Sequence, residues 1–156
     1  MIRAALAVLC LATPAAAAFD VTTKHGDWQG AGQMLRGGTT GAIRCRISLE
    51  PQGAATFVTG RCAIPEGGIE IGLLLTPQPD GSVIARGQGV EPNTTTRIEE
   101  LTGTPDDNAL TLRGTADGET AAVQFVPLDG DGLRIATTRQ TRAGTEETSV
   151  VDLTRR

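Results

Sequence analysis

Tyrosine is absent from this chain, lysine and histidine occur once each (Lys24 and His25), and the aromatic set is one tryptophan and three phenylalanines. Each scarcity excludes something. With one lysine and no clustered arginine, the chain lacks the electrostatic footprint of a nucleic-acid binder. With one histidine, beside Lys24 and Asp27 at the mouth of the first strand, and with Ser48, Ser82 and Ser149 in no nucleophile turn, it offers no nucleophile and base pair. A sulfur and nitrogen metal site is equally thin, so no metal and no cofactor is expected. Carboxylate pairs that cleave sugars usually stand among aromatic platforms, and one tryptophan without tyrosine is a poor supply of them, which leaves an acid pair open but disfavoured. No phosphate loop, dinucleotide fingerprint or amphipathic membrane helix occurs. The chain reads as having no catalytic residues.

A long hydrophobic run is also missing. The uncharged stretch 4–12 falls short of the roughly 20 residues that a membrane-spanning helix needs. It follows Arg3 and precedes Pro14 and a run of alanines, which is the order of a secretory signal. Small residues at Ala16 and Ala18 predict cleavage before Phe19, with Ala17 a second possible cut. Cys10 lacks the small residue before it that a lipoprotein site requires, so it reads as a hydrophobe of the signal. Residues 1–18 are thus expected to be a signal peptide and 19–156 one domain, placed in the periplasm or outside the cell. Losing Arg3 and no acid takes 14 basic residues to 13 against 18 acidic, a net charge of −5. The acid pairs Glu99-Glu100, Asp106-Asp107 and Glu146-Glu147 read as solvated loops or strand ends. Asn93-Thr94-Thr95 is a glycosylation sequon that reads more simply as a polar turn.

What is present points to β-structure. No segment after residue 18 repeats apolar residues at helical spacing, and Gly, Pro and Asp-Gly recur every eight to twelve residues or so, the rhythm of an antiparallel meander. In Ala42 to Glu50, Ile43, Cys45, Ile47 and Leu49 alternate with Arg44, Arg46, Ser48 and Glu50, giving one dry face and one charged face. In Ala54 to Ile64, Val58, Gly60, Cys62 and Ile64 share a face. Cys45 and Cys62 are the two cysteines left after the signal and are expected to be bonded. Pairing them across a hairpin sets Leu49 opposite Val58 and Ile47 opposite Gly60, so disulfide and hydrophobic register agree.

Further strands are expected at 68–76, 82–88, 108–115, 120–126, 132–138 and 147–154, with 95–101 a strand or part of a long loop. Pro79-Asp80-Gly81, Ala116-Asp117-Gly118 and Asp129-Gly130-Asp131-Gly132 read as turns. The last imitates the start of a calcium loop, but the position for its closing Glu holds Gln140. A meander of about eight strands hides its edges best by closing into an up-and-down barrel, with a flattened β-sandwich as the alternative.

The first strand begins Gly26-Asp27-Trp28-Gln29-Gly30-Ala31-Gly32. Gly26 and Trp28 resemble the Gly-x-Trp motif of the lipocalin-like, or calycin, families. That resemblance implies a barrel with Trp28 packed across its closed end, an Arg from the last strand over the ring (Arg134 or Arg139) and an interior that holds a small apolar ligand. The second motif of those families, an aspartate and an aromatic between middle strands, is absent. Trp28, Gly30 and Gly32 with the later Cys pair also resemble a group of small exported bacterial proteins with a Trp-x-Gly-x-Gly strand. The early Trp before a Cys pair is similar to the metalloprotease-inhibitor group. Gly30 and Gly32 fall on the face of Trp28, where small residues let the strand curve or let something bulky sit close, the indole and its neighbours or a ligand.

The expected function is that of a non-catalytic binding or interaction protein, with a carrier of a small apolar ligand or a periplasmic inhibitor of a protease or lysozyme, docking its protein partner, as the alternatives. A hydrolase with an unorthodox acid pair is the third reading. Aliphatic side chains suffice to fill an eight-stranded barrel, so the space above Trp28 is expected to be small.

Overall fold

A computed structural model describes residues 18–156. The expected signal peptide and Cys10 lie outside this range, except for Ala18. Ten antiparallel strands follow one another: β1 (Gly26–Arg36), β2 (Thr39–Gln52), β3 (Ala55–Ile64), β4 (Gly67–Pro77), β5 (Val83–Glu91), β6 (Thr94–Gly103), β7 (Leu110–Ala116), β8 (Glu119–Pro127), β9 (Leu133–Gln140) and β10 (Glu146–Arg155). Each pairs with its neighbours in sequence, and β1 also pairs with β10, closing the sheet into an up-and-down barrel. A short 3₁₀ turn, Val21–Thr23, precedes β1.

The class is the one expected, and the strand number is ten rather than about eight. The extra width has a consequence, because interior diameter grows with strand number. The uncertain segment 95–101 is part of β6. Ala85 pairs with Leu101 and Gly87 with Ile98, while on the other side Ile98 pairs with Ala116 and Glu100 with Thr115. β6 therefore carries one extra residue at Glu99 relative to both neighbours. Such a bulge breaks the alternation of period two that marks a strand in sequence. One carboxylate oxygen of Glu99 is buried there without a hydrogen-bond partner.

The β2–β3 hairpin has the expected register: Cys45 opposite Cys62, Ile47 opposite Gly60, Leu49 opposite Val58. The disulfide joins Cys45 and Cys62 with their Cα atoms 4.1 Å apart. Both cysteines point inward and are buried.

Four of the five hairpins at one end have two-residue loops, at Gly37-Gly38, Pro65-Glu66, Pro92-Asn93 and Asp117-Gly118. Asp117 and Gly118 both have positive φ, 51° and 72°, the conformation that lets a two-residue turn follow the twist of its strands. At the other end β2 and β3 are joined by Gly53-Ala54, the other connections are longer, and the chain before β1 crosses there. The amide of Phe19 donates to the carbonyl of Asp106 at 2.8 Å. The Asp106 carboxylate in turn accepts from the amides of Asn108 and Ala109. Phe19 and Val21, at 8% and 1% exposure, are thereby stitched into the core.

Candidate functional site

Trp28 is fully buried beside this N-terminal segment. Its indole N–H donates to the carbonyl of Lys24 at 3.1 Å, and the guanidinium of Arg155 lies 4.7 Å from the ring centroid. Arg155 also donates to the carbonyl of His25. The arginine over the tryptophan does come from the last strand, but it is neither Arg134 nor Arg139. Arg134 faces outward and forms a two-pronged pair with Asp152 at 2.6 and 2.8 Å. Arg139 lies at the opposite end of the barrel. The expected last strand stopped at Thr154, one residue before the one that matters; Val151, Leu153 and Arg155 share its inward face. His25 is half-buried, with Nε2 3.4 Å from the hydroxyl of Thr56, so it serves the closed end.

Gly26 is needed here for its backbone, at a φ of +121° that residues with side chains rarely adopt, and a Cβ there would also push on the tip of Arg155. Gly30 and Gly32 stand where the backbone of β10 comes close. A Cβ on Gly30 would fall 1.8 Å from the carbonyl oxygen of Asp152, and one on Gly32 1.7 Å from that of Val150. They make room for the backbone of β10 at the seam where the barrel closes.

Above this floor the lumen is a cavity of about 250 Å³, open at the hairpin end. Its wall is mainly apolar: Ile43, Ile47 and the disulfide on one side, Ile98, Leu101, Val123 and Phe125 on the other. The filled interior expected of a narrower barrel is therefore not what the ten strands form. The inward face of β5 is small, Ala85, Gly87 and Gly89. A Cβ on Gly89 would meet nothing within 4 Å, so side-chain volume is missing on that wall. The polar pair in the upper wall, Thr137 and Ser149, is joined hydroxyl to hydroxyl at 2.7 Å.

The rim is charged. Arg36 donates from both terminal nitrogens to the two carboxylate oxygens of Glu91, at 2.8 and 2.7 Å. Arg139 donates to Glu147 at 2.7 Å and to the Thr96 hydroxyl at 3.3 Å, with Glu119 at 3.6 Å. Glu119 also accepts from the amide of Arg142. The hydrogen bond from Arg36 is the main cause holding Glu91 below the usual carboxylate range, against the opposing effect of burial. The same bond raises Arg36. Glu147, expected to be a solvated strand end, is instead a rim residue with a 19% exposed side chain.

None of these rim contacts was anticipated, yet a signal for them exists. Each residue is the last inward position of its strand at the hairpin end: Arg36 continues Trp28-Gly30-Gly32-Met34, Glu91 continues Ala85-Gly87-Gly89, and Glu147 precedes Ser149-Val151-Leu153. Carried one step further, the alternation that located the core locates the rim.

Among the described residues no group of three or more His, Cys, Asp or Glu is placed to hold a metal, and no helix is long and apolar enough to cross a membrane. Asp129-Gly130-Asp131-Gly132 is a turn closed by a hydrogen bond from the amide of Leu128 to the carbonyl of Gly132. No protein-family model matches the chain, and no curated protein matches it significantly.

Proposed function

We propose that the chain is an exported, non-catalytic binding protein that takes one small apolar molecule into its lumen. The observation that carries this reading is the apolar cavity of about 250 Å³ above the Trp28 floor, open at one end. A dry cavity of about 150 Å³ holds benzene, and pockets for larger ligands run to roughly 300–1,000 Å³. The space suits a molecule of about the size of a fused aromatic ring system or a short acyl chain. The resemblance to the lipocalin-like families, in Gly26 and Trp28, now gains an arginine from the last strand over the indole, and it supports the same reading. The disulfide fits an oxidising compartment.

The rim acids do not favour catalysis. Glu91, Glu119 and Glu147 meet there, but each accepts from an arginine side chain or amide, and Glu91 is held ionised, the opposite of a general acid. A filled interior would favour docking of a protein partner over carriage of a ligand, and the cavity removes that support. The large exposed hydrophobes, Phe57 and Val150, stand on β3 and β10 with β1 and β2 between them, so they form no single patch.

The test is titration with 1-aminoanthracene, an uncharged fluorophore, followed by its emission. One saturable site per chain is expected, with emission shifted to the blue. Gly89→Leu places a side chain in the open space on the β5 wall and should weaken binding by roughly tenfold or more, with the melting temperature retained. Absence of saturable binding, or full binding by Gly89→Leu, overturns the reading.

A further inference from the structure

We propose that the barrel selects uncharged apolar molecules over ionised amphiphiles of equal chain length, and that the Arg36–Glu91 pair across its mouth sets this selection. The proposal rests on the lumen being a ligand site. Its argument begins with topology. β1 and β5 are not neighbours, since β2, β3 and β4 lie between them, so the two-pronged pair from Arg36 to Glu91 crosses the opening instead of running along the wall. A second brace, Arg139 on β9 to Thr96 on β6, spans β7 and β8.

Both inward cations are thereby committed. Arg36 and Glu91 are 31% and 22% exposed in their side chains, and Arg139 and Glu147 29% and 19%, so water only partly screens them. The rim carries Arg36, Arg139 and Arg142 against Glu91, Asp117, Glu119 and Glu147, one negative charge in excess. A carboxylate head group would meet that excess. To gain Arg36 or Arg139 it must displace Glu91 or Glu147, leaving a partly buried acid without a partner, which costs more than the new pair returns. Arg142, which donates to the carbonyl of Asp117, does not line the apolar cavity below. A cationic head group finds the carboxylates already occupied. Carrying either charge down among Ile43, Ile98 and Val123 is costlier still. An uncharged molecule disturbs none of these pairs, and the single hydrogen bond between Thr137 and Ser149 leaves one O–H that an uncharged hydroxyl can accept from. The rim thus excludes by what a wrong ligand would leave unpaired, a form of discrimination that needs no contact with the right one.

The experiment displaces 1-aminoanthracene with 1-octanol and with octanoate near neutral pH. Octanol should compete at least roughly tenfold better than octanoate on the native protein. Glu91→Gln frees Arg36, so octanoate should gain roughly tenfold while octanol changes little. The double variant Arg36→Met/Glu91→Met removes both charges together, so octanoate should gain less than it does in Glu91→Gln; an equal gain overturns the role given to the freed Arg36. Octanoate competing as well as octanol on the native protein, or no gain for octanoate in Glu91→Gln, overturns the selection while leaving the ligand site standing. Failure of 1-aminoanthracene itself to bind overturns the ligand site.

Discussion

At the Trp28 end the lumen is stopped by side chains that water does not reach, Trp28 and Leu133 at 0% exposure and Val21 and Leu49 at 1%. At the Arg36 end it is spanned by charged groups that are a fifth to a third exposed. One end is held by apolar burial, which is non-directional and cumulative. The other is held by ion pairs, which contribute little net free energy when water can reach them. The contrast assigns tasks: the floor carries stability, and the rim is where the barrel can open or discriminate at small cost.

The seam between β1 and β10 joins both ends, and breaking it should have the largest effect. Gly30→Val would set a side chain 1.8 Å from the carbonyl oxygen of Asp152 at its first carbon alone, so the barrel should fail to close. Circular dichroism and size exclusion should report loss of the folded monomer; a native-like Gly30→Val protein would mean that the seam is looser than described. The floor comes next. Trp28→Ala should cost about 3–5 kcal/mol, the range for emptying a large aromatic from a core. Chemical denaturation measures this, and a cost under about 1 kcal/mol would remove the floor from its role.

The disulfide lies on the wall between the ends. Its loop spans 17 residues, for which the chain-entropy view gives roughly 3 kcal/mol. Cys45→Ala/Cys62→Ala should therefore melt at lower temperature and still fold. Free-thiol labelling of both cysteines in the native, unreduced protein would contradict the pairing.

The rim should show the smallest effect on stability. The Glu91 carboxyl is lowered in the folded protein, so its contribution is complete above the unfolded value of about 4.3 and is lost as the pH falls through the lower folded one. Glu91→Gln should be less stable than the native protein by about 1 kcal/mol or less at neutral pH. The two proteins should converge as the pH falls below about 4. Asp152, lowered by its hydrogen bond from Arg134, loses its contribution in both proteins alike, so the difference between the curves belongs to Glu91. Parallel curves across the acid range would detach the rim pair from the acid response.

The sequence-based expectations were accurate where interactions are local. The hairpin of β2 and β3 was legible to the residue, because alternation of period two and a cysteine pair constrain the same register independently. The turn at Asp117-Gly118 was legible because few residues accept positive φ. Segment 95–101 was obscure because the extra residue at Glu99 shifts the alternation halfway along. Arg155 was missed because the last strand runs one residue further than its pattern suggested.

From the sequence by itself came an antiparallel meander, the Cys45–Cys62 bond, an inward Trp28 and the exclusion of a nucleic-acid footprint, since each depends on residue type and near-neighbour spacing. Closure belonged to the tertiary structure: it alone set the strand number at ten, brought the backbone of β10 against Gly30 and Gly32, and left a lumen that the available side chains do not fill. It also brought Arg36 to Glu91 across 55 positions of chain. The physical reason is that a strand's own pattern states which side faces inward but not which distant strand stands opposite, and a site built across a barrel exists only once the circle is complete.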